Sequence, residues 1–140
     1  MSVRDLEIPN FYNLQCNGLQ STNGLNELNT ATQFNTSSNI TAAAVVSGIL
    51  VCNGTGAVTW TIPSGFAASL VAAMPFKTLG STLVCLAVNN TASNALTISS
   101  SDTNTTIGNT IGTSTNVPAN SSRVLYFIIN NASTPAVTLY

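Results

Sequence analysis

From Ile40 onward, short runs of apolar and β-branched residues are separated by clusters of Gly, Asn, Ser and Thr. Such runs, broken at turn residues, predict strands. Residues 40–51 form a long apolar run that reads as one strand, bent at Gly48. Asn53-Gly54-Thr55-Gly56 reads as a turn. Residues 57–62 alternate Ala, Val, Thr, Trp, Thr, Ile with the period of a strand. Pro63 resets the backbone, and Ser64 is placed to cap a short helix over residues 65–74. Phe66, Leu70, Val71 and Met74 fall on one face of that helix, and Pro75 ends it.

Further strands are predicted over residues 81–89, 95–100, 123–130 and 136–140, with a Thr/Asn/Gly-rich stretch over 101–116. Residues 81–88 are apolar on both faces, with Thr82, Val84, Leu86 and Val88 alternating with Leu83, Cys85 and Ala87. Residues 124–129 are similar. Two-faced apolar strands suit a central, buried position. The pattern predicts an all-β fold: an antiparallel β-sandwich, jelly-roll-like, with one short helix. The echo Thr106-Ile107-Gly108 and Thr110-Ile111-Gly112 is too short to imply a solenoid.

Residues 10–39 differ, being dominated by Asn, Gln, Thr, Ser and Gly with isolated apolar residues. Asn17-Gly18 and Asn23-Gly24 are turn signals without a strong period around them. We therefore divide the chain into residues 1–39, an arm that orders against a partner or an edge segment, and residues 40–140, the sandwich.

Charge changes the picture most. Only 5% of the 140 residues are Asp, Glu, Lys or Arg, against roughly 25% in typical soluble proteins. Thr, Ser and Asn must keep the surface wet instead. A net charge of −1 with three scattered basic residues offers no stripe for nucleic acid and no patch for an anionic membrane. The N-terminal Met1-Ser2-Val3-Arg4-Asp5-Leu6-Glu7 does not read as a signal sequence, and the apolar stretches 42–52 and 66–76 are too short to span a bilayer. Cys16, Cys52 and Cys85 are an odd, widely spaced set, so no disulfide framework or zinc site is expected. Cys52 and Cys85, set among apolar residues, read as buried free thiols.

Candidate chemistry is sparse. There is no His, which removes the commonest acid–base group and metal ligand and every His-dependent triad. The four carboxylates are scattered, and a pair such as Glu27 with Asp102 has nothing to bring it together. Lys77 reads as a solvated loop residue, and Arg123 as an edge charge that discourages wrong strand pairing. Asn-x-Ser/Thr sequons at Asn35, Asn39, Asn53, Asn89, Asn104, Asn120 and Asn131 are what so Asn/Ser/Thr-rich a chain produces by chance. Trp60 and Tyr126 read as core aromatics. Phe11, Tyr12, Phe34 and Tyr140 are the candidate subunit contacts. The expectation is a protein without enzymatic activity, cofactor or metal.

Residues 54–140 resemble, in pattern, a small β-domain of structural proteins of large DNA viruses and bacteriophages. The resemblance rests on Gly56-Ala57-Val58-Thr59-Trp60-Thr61-Ile62-Pro63, the Ala-rich 66–75, Gly80-Ser81-Thr82-Leu83-Val84-Cys85-Leu86-Ala87-Val88-Asn89-Asn90, Ala95-Leu96-Thr97-Ile98, residues 117–127 and Ala136-Val137-Thr138-Leu139-Tyr140. It implies a virion structural protein, a minor capsid, cap or decoration protein, made in the host cytoplasm. Its partners would be copies of itself, often as a homotrimer, and other capsid proteins. The alternative it leaves open is a receptor- or glycan-binding fibre head.

Overall fold

The structure, a computed structural model, describes residues 31–74, 76–108 and 114–140. It is mostly β, with two helices and two mixed sheets. In chain order the strands are β1 (Ala31–Gln33), β2 (Ser38–Asn39), β3 (Ile49–Cys52), β4 (Val58–Ile62), β5 (Thr82–Asn89), β6 (Leu96–Ser100), β7 (Thr105–Ile107), β8 (Ser114–Val117), β9 (Ser121–Asn131) and β10 (Ala136–Leu139). The helices are α1 (Ala42–Val46) and α2 (Phe66–Ala73). The larger sheet has the order β1-β3-β5-β9-β10-β7, and the smaller β2-β4-β6-β8.

From β1 to β6 the chain passes alternately between the two sheets. Each return lays a strand parallel to the one before: β1, β3, β5 in the larger sheet and β2, β4, β6 in the smaller. The result is three stacked coils. Turns join larger to smaller sheet on one side, and α1 and α2 make the return connections, packing on each other. The antiparallel strands β8, β9 and β10 then close the stack. The expected antiparallel sandwich is thus corrected. Among the described residues five strand pairings are parallel and three antiparallel.

The coils are locked in register at the turns by asparagine. Asn35, Asn53 and Asn90 follow the aligned ends of β1, β3 and β5. The Asn53 N–H donates to Asn35 Oδ1 at 2.8 Å, and Asn90 Nδ2 donates to Asn53 Oδ1 at 2.9 Å. Beside this ladder, Asn89 is fully buried. Its Nδ2 donates to the carbonyls of Asn94, Val117 and Pro118, and its Oδ1 accepts from Thr91 N–H. A buried amide so satisfied rigidifies the loops it ties. It also leaves no free amide for a glycan at that sequon.

Residues 31–39, placed in the arm-or-edge segment from sequence, supply the edge strands β1 and β2. Residues 1–30, with Cys16, lie outside the described residues. The single strand expected over 40–51 is corrected. Thr41 Oγ1 accepts from Ala44 N–H at 3.1 Å and starts α1, whose Ala-rich opening favours a helix. Gly48, at φ 91°, ends that turn where a side chain would be strained.

The core lies between the sheets. Trp60, Ile40, Leu50, Ile62, Leu96, Ile98, Leu125, Phe127, Ile129 and Leu139 are fully buried there, with Leu70 of α2 closing the side. Trp60 Nε1 donates to the Phe34 carbonyl at 3.0 Å. The Phe34 ring meets the indole edge-on, centroids 5.9 Å apart at 65°. Cys52 and Cys85 are buried free thiols, and burial pushes the Cys85 pKa up to about 12.

The expected Ser64 cap of α2 is also corrected. Gly65 occupies the N-cap without a side chain, and Asp102 reaches in from the β6–β7 loop. Its carboxylate accepts from Ala67 N–H at 2.8 Å, Gly65 N–H at 3.3 Å, Thr105 Oγ1 at 2.8 Å and Asn104 N–H at 3.4 Å. Burial alone would raise the pKa of this acid. The bonds from Ala67, Thr105, Asn104 and Gly65 outweigh it and hold the carboxyl below its ordinary range. A lowered folded pKa contributes stability that is complete above the unfolded value of about 4 and is lost as pH falls through the folded one. The Asp102 contribution should therefore be nearly flat from about pH 5 to 8 and fall on the acid side, while the raised Cys85 pKa adds a loss of stability only above about pH 9, where the unfolded thiol ionises. Asp102→Ala should cost about 1–3 kcal/mol at neutral pH by orphaning buried donors, and should flatten the acid limb. Urea unfolding of both proteins across that range checks this.

Candidate functional site

The two sheets turn different faces to solvent. On the smaller sheet the outward positions are Asn39, Thr59, Thr61, Thr97, Ser99 and Asn116, between buried Trp60, Ile62, Leu96, Ile98 and Val117. Hydroxyls and amides wet that face, as the composition led us to expect. Along β3, β5 and β9 the larger sheet alternates as well, but there both faces are largely apolar. Leu50, Cys52, Cys85, Ala87, Leu125, Phe127, Ile129, Val137 and Leu139 point inward and are buried. Ile49 and Val51 of β3, Val84, Leu86 and Val88 of β5, and Val124, Tyr126 and Ile128 of β9 point outward.

Register puts these outward side chains side by side. Ile49 lies opposite Leu86, and Val51 opposite Val88. Leu86 lies opposite Val124, Val84 opposite Tyr126, and Thr82 opposite Ile128. Val84 is 52% exposed, Tyr126 45% and Val124 41%. The sequence placed β5 and β9 centrally, and they are neighbours at the middle of the sheet. Their second apolar face, expected to be buried, is open, and Tyr126, expected in the core, lies on it.

Tyr140 extends the face. Tyr126 N–H donates to the Tyr140 carbonyl at 3.1 Å, and Tyr140 N–H to the Tyr126 carbonyl at 3.0 Å. The residues are a hydrogen-bonded antiparallel pair. Leu139 and Phe127 beside them point inward, so both phenols stand on the outer face. The Tyr140 ring lies across Gly108 next to β7. A Cβ there would come within 2.7 Å of its Cε1, and within 2.9 Å of Thr138 Cγ2. Of the other predicted contacts, Phe34 is half-buried against Trp60 of its own chain. Phe11 and Tyr12 lie outside the described residues.

Among the described residues no charged side chain lies on the outer face. The charged residues among those described are Lys77, Asp102 and Arg123. Lys77 is exposed on the α2–β5 loop, between exposed Phe76 and Leu79. Asp102 is buried at the helix cap. Arg123, expected to guard an edge, sits on β9 in the interior of the larger sheet. Its side chain turns inward to donate to Thr115 Oγ1 and the Asn116 carbonyl of β8, tying the sheets together. A hollow of about 350 Å³ beside Asp102 is lined by Ser100, Ser101, Thr103, Thr105, Thr106 and Ile107. Its one carboxylate is already engaged by the four bonds above. Among the described residues no group of three His, Cys, Asp or Glu is placed to hold a metal ion. No helix among them is long and apolar enough to cross a membrane.

Compared with protein-family models, curated proteins and solved structures, the chain matches none. The face therefore speaks through its own chemistry. Four strands about 4.8 Å apart and about five residues long present roughly 300 Å² in projection, the size of patch that often marks an interaction site on a monomer. Sequence reasoning missed it because a strand apolar on both sides reads as buried on both sides.

Gly108 tests how the face is built. Gly108→Ala should destabilise by about 1–3 kcal/mol through overpacking against Tyr140. In a Tyr140→Ala background the same change should cost measurably less, a coupling that a double-mutant cycle of thermal unfolding would detect.

Proposed function

We propose that this is a structural protein that works by packing the outer face of its larger sheet against further copies of itself. The contrast between the two sheets carries the reading. One chain, with the same supply of Thr, Ser and Asn, covers one outer face with hydroxyls and amides and leaves the middle of the other apolar. Solvent alone gives no reason for that difference. A second copy is the occupant that fits best. Among the described residues the face has no charged side chain, so it meets its own copy without like-charge repulsion. Sheet faces stack on one another about 10 Å apart. A stable interface needs about 800 Å² from each partner, which the Thr- and Asn-bearing rim around the apolar centre would complete.

Within that reading we place the protein in a virion, as a minor capsid, cap or decoration component, assembled as a homo-oligomer with a trimer as the expected form. The resemblance of residues 54–140 to viral β-domains supports this, together with the near absence of charge in a chain meant to sit among many copies. The sandwich is read as jelly-roll-like in outline, with the coiled first half as its departure from that plan. Other capsid proteins are the further partners. A glycan-binding fibre head is the second reading, favoured by the paired phenols Tyr126 and Tyr140, since aromatic rings stack on sugar faces.

The double variant Val84→Asp, Tyr126→Asp decides between them. Both positions are exposed in the single chain but lie opposite each other on β5 and β9, so the facing Asp carboxylates should cost about 1–2 kcal/mol, and circular dichroism checks that the variant stays folded. Sedimentation velocity should show an oligomer for the natural protein and a folded monomer for the variant. A natural protein that is a monomer at all concentrations would sink the self-packing reading. Binding of that monomer to sugars, abolished by Tyr126→Ala, would establish the fibre-head reading instead.

A further inference from the structure

The coil has an open end at β1. Among the described residues no strand pairs with its far side. Phe34 N–H donates to the Val51 carbonyl at 2.9 Å. Strand backbone groups alternate in direction, so the Gln33 N–H and C=O point away from β3, toward the open side. The ladder also stops here: Asn35 Oδ1 takes the Asn53 N–H, and its own amide reaches only Gln33 Oε1, at 3.5 Å. An exposed edge of this kind is a template for one more strand.

The sequence holds one more copy of the unit that would fit. Leu50-Val51-Cys52-Asn53-Gly54, the end of β3 and its turn, recurs as Leu14-Gln15-Cys16-Asn17-Gly18, with Leu, Cys, Asn and Gly at the same places. The spacing agrees. Asn35 and Asn53, bonded neighbours in the ladder, are 18 residues apart, and Asn17 stands 18 residues before Asn35. That is the length of the coil through β2, α1 and β3; the next, from Asn53 to Asn90 through α2, takes 37. Polarity agrees as well. With Asn17 set beside Asn35, Leu14 and Cys16 would fall at inward positions next to Thr32 and Phe34, and Gln15 at the outward one next to Gln33.

We propose that the free edge of β1 is a strand-addition site whose occupant is residues 14–18 of the same chain, with Asn17 continuing the ladder on Asn35. The Gln33 N–H is then bonded to a carbonyl of that segment. Amide hydrogen exchange of the full chain, followed by NMR, tests this. The Gln33 amide should exchange more than about 100-fold slower than an open one, and equally slowly after tenfold dilution. In the variant Leu14→Asp, Cys16→Asp that protection should vanish. Leu86, whose N–H donates to the Gly48 carbonyl inside the sheet, should stay protected and report an intact core. A Gln33 amide that exchanges freely in the natural chain overturns the proposal without recourse to the variant. So does protection that survives the substitutions. Protection that fades on dilution assigns the site to a second copy and overturns the same-chain occupant.

Discussion

Hydrogen bonding between successive coils of the chain is the constraint on which the molecule depends. Each coil lays one strand on each sheet, and the in-register pairs Ala31–Ile49–Leu86 and Ser38–Trp60–Ile98 fix both sheets together. The asparagines at the turns hold that register, because a slip of one residue would break the Asn35–Asn53–Asn90 bonds and turn every inward side chain outward. Asp102 and Asn89 then tie α2 and the β8–β9 turn to the stack. Charge has little part in this. Backbone pairs, amide bonds and apolar contact hold the fold.

The same constraint creates the outer face. β5 is the last of the coil's parallel strands in the larger sheet and meets the antiparallel β9, so these two strands form the middle of that sheet. Register there aligns Val84 with Tyr126 and Leu86 with Val124, which makes one apolar surface out of positions far apart in sequence. Tyr140 joins it only because Gly108 leaves room for its ring.

Strands and turns were legible in the sequence wherever apolar runs met Asn-Gly or Pro, as at Asn53-Gly54 and Pro63. The α2 helix was legible from Phe66, Leu70, Val71 and Met74. Pairing direction was not, because a parallel coil and an antiparallel hairpin share the same local alternation and differ only in where the next strand lands. The α1 helix was hidden by the β-branched residues around it, since Thr41 and three alanines decide it locally. The α2 cap was hidden for a different reason: Asp102 comes from a strand connection more than thirty residues away, and nothing near Ser64 announces it. The apolar face was half legible. The residues of β5 and β9 stood out as apolar on both sides, but sequence cannot tell a side buried in the fold from one left for a partner.

If an uncharged apolar face joins copies of this chain, as proposed, its solution mass by light scattering at low and at high salt will show it. Self-packing through this face gives one oligomer whose mass stays constant between about 0.05 and 1 M salt, because the face offers no charged side chain to screen. A monomer at every salt concentration, or an oligomer that falls apart as salt rises, would contradict it.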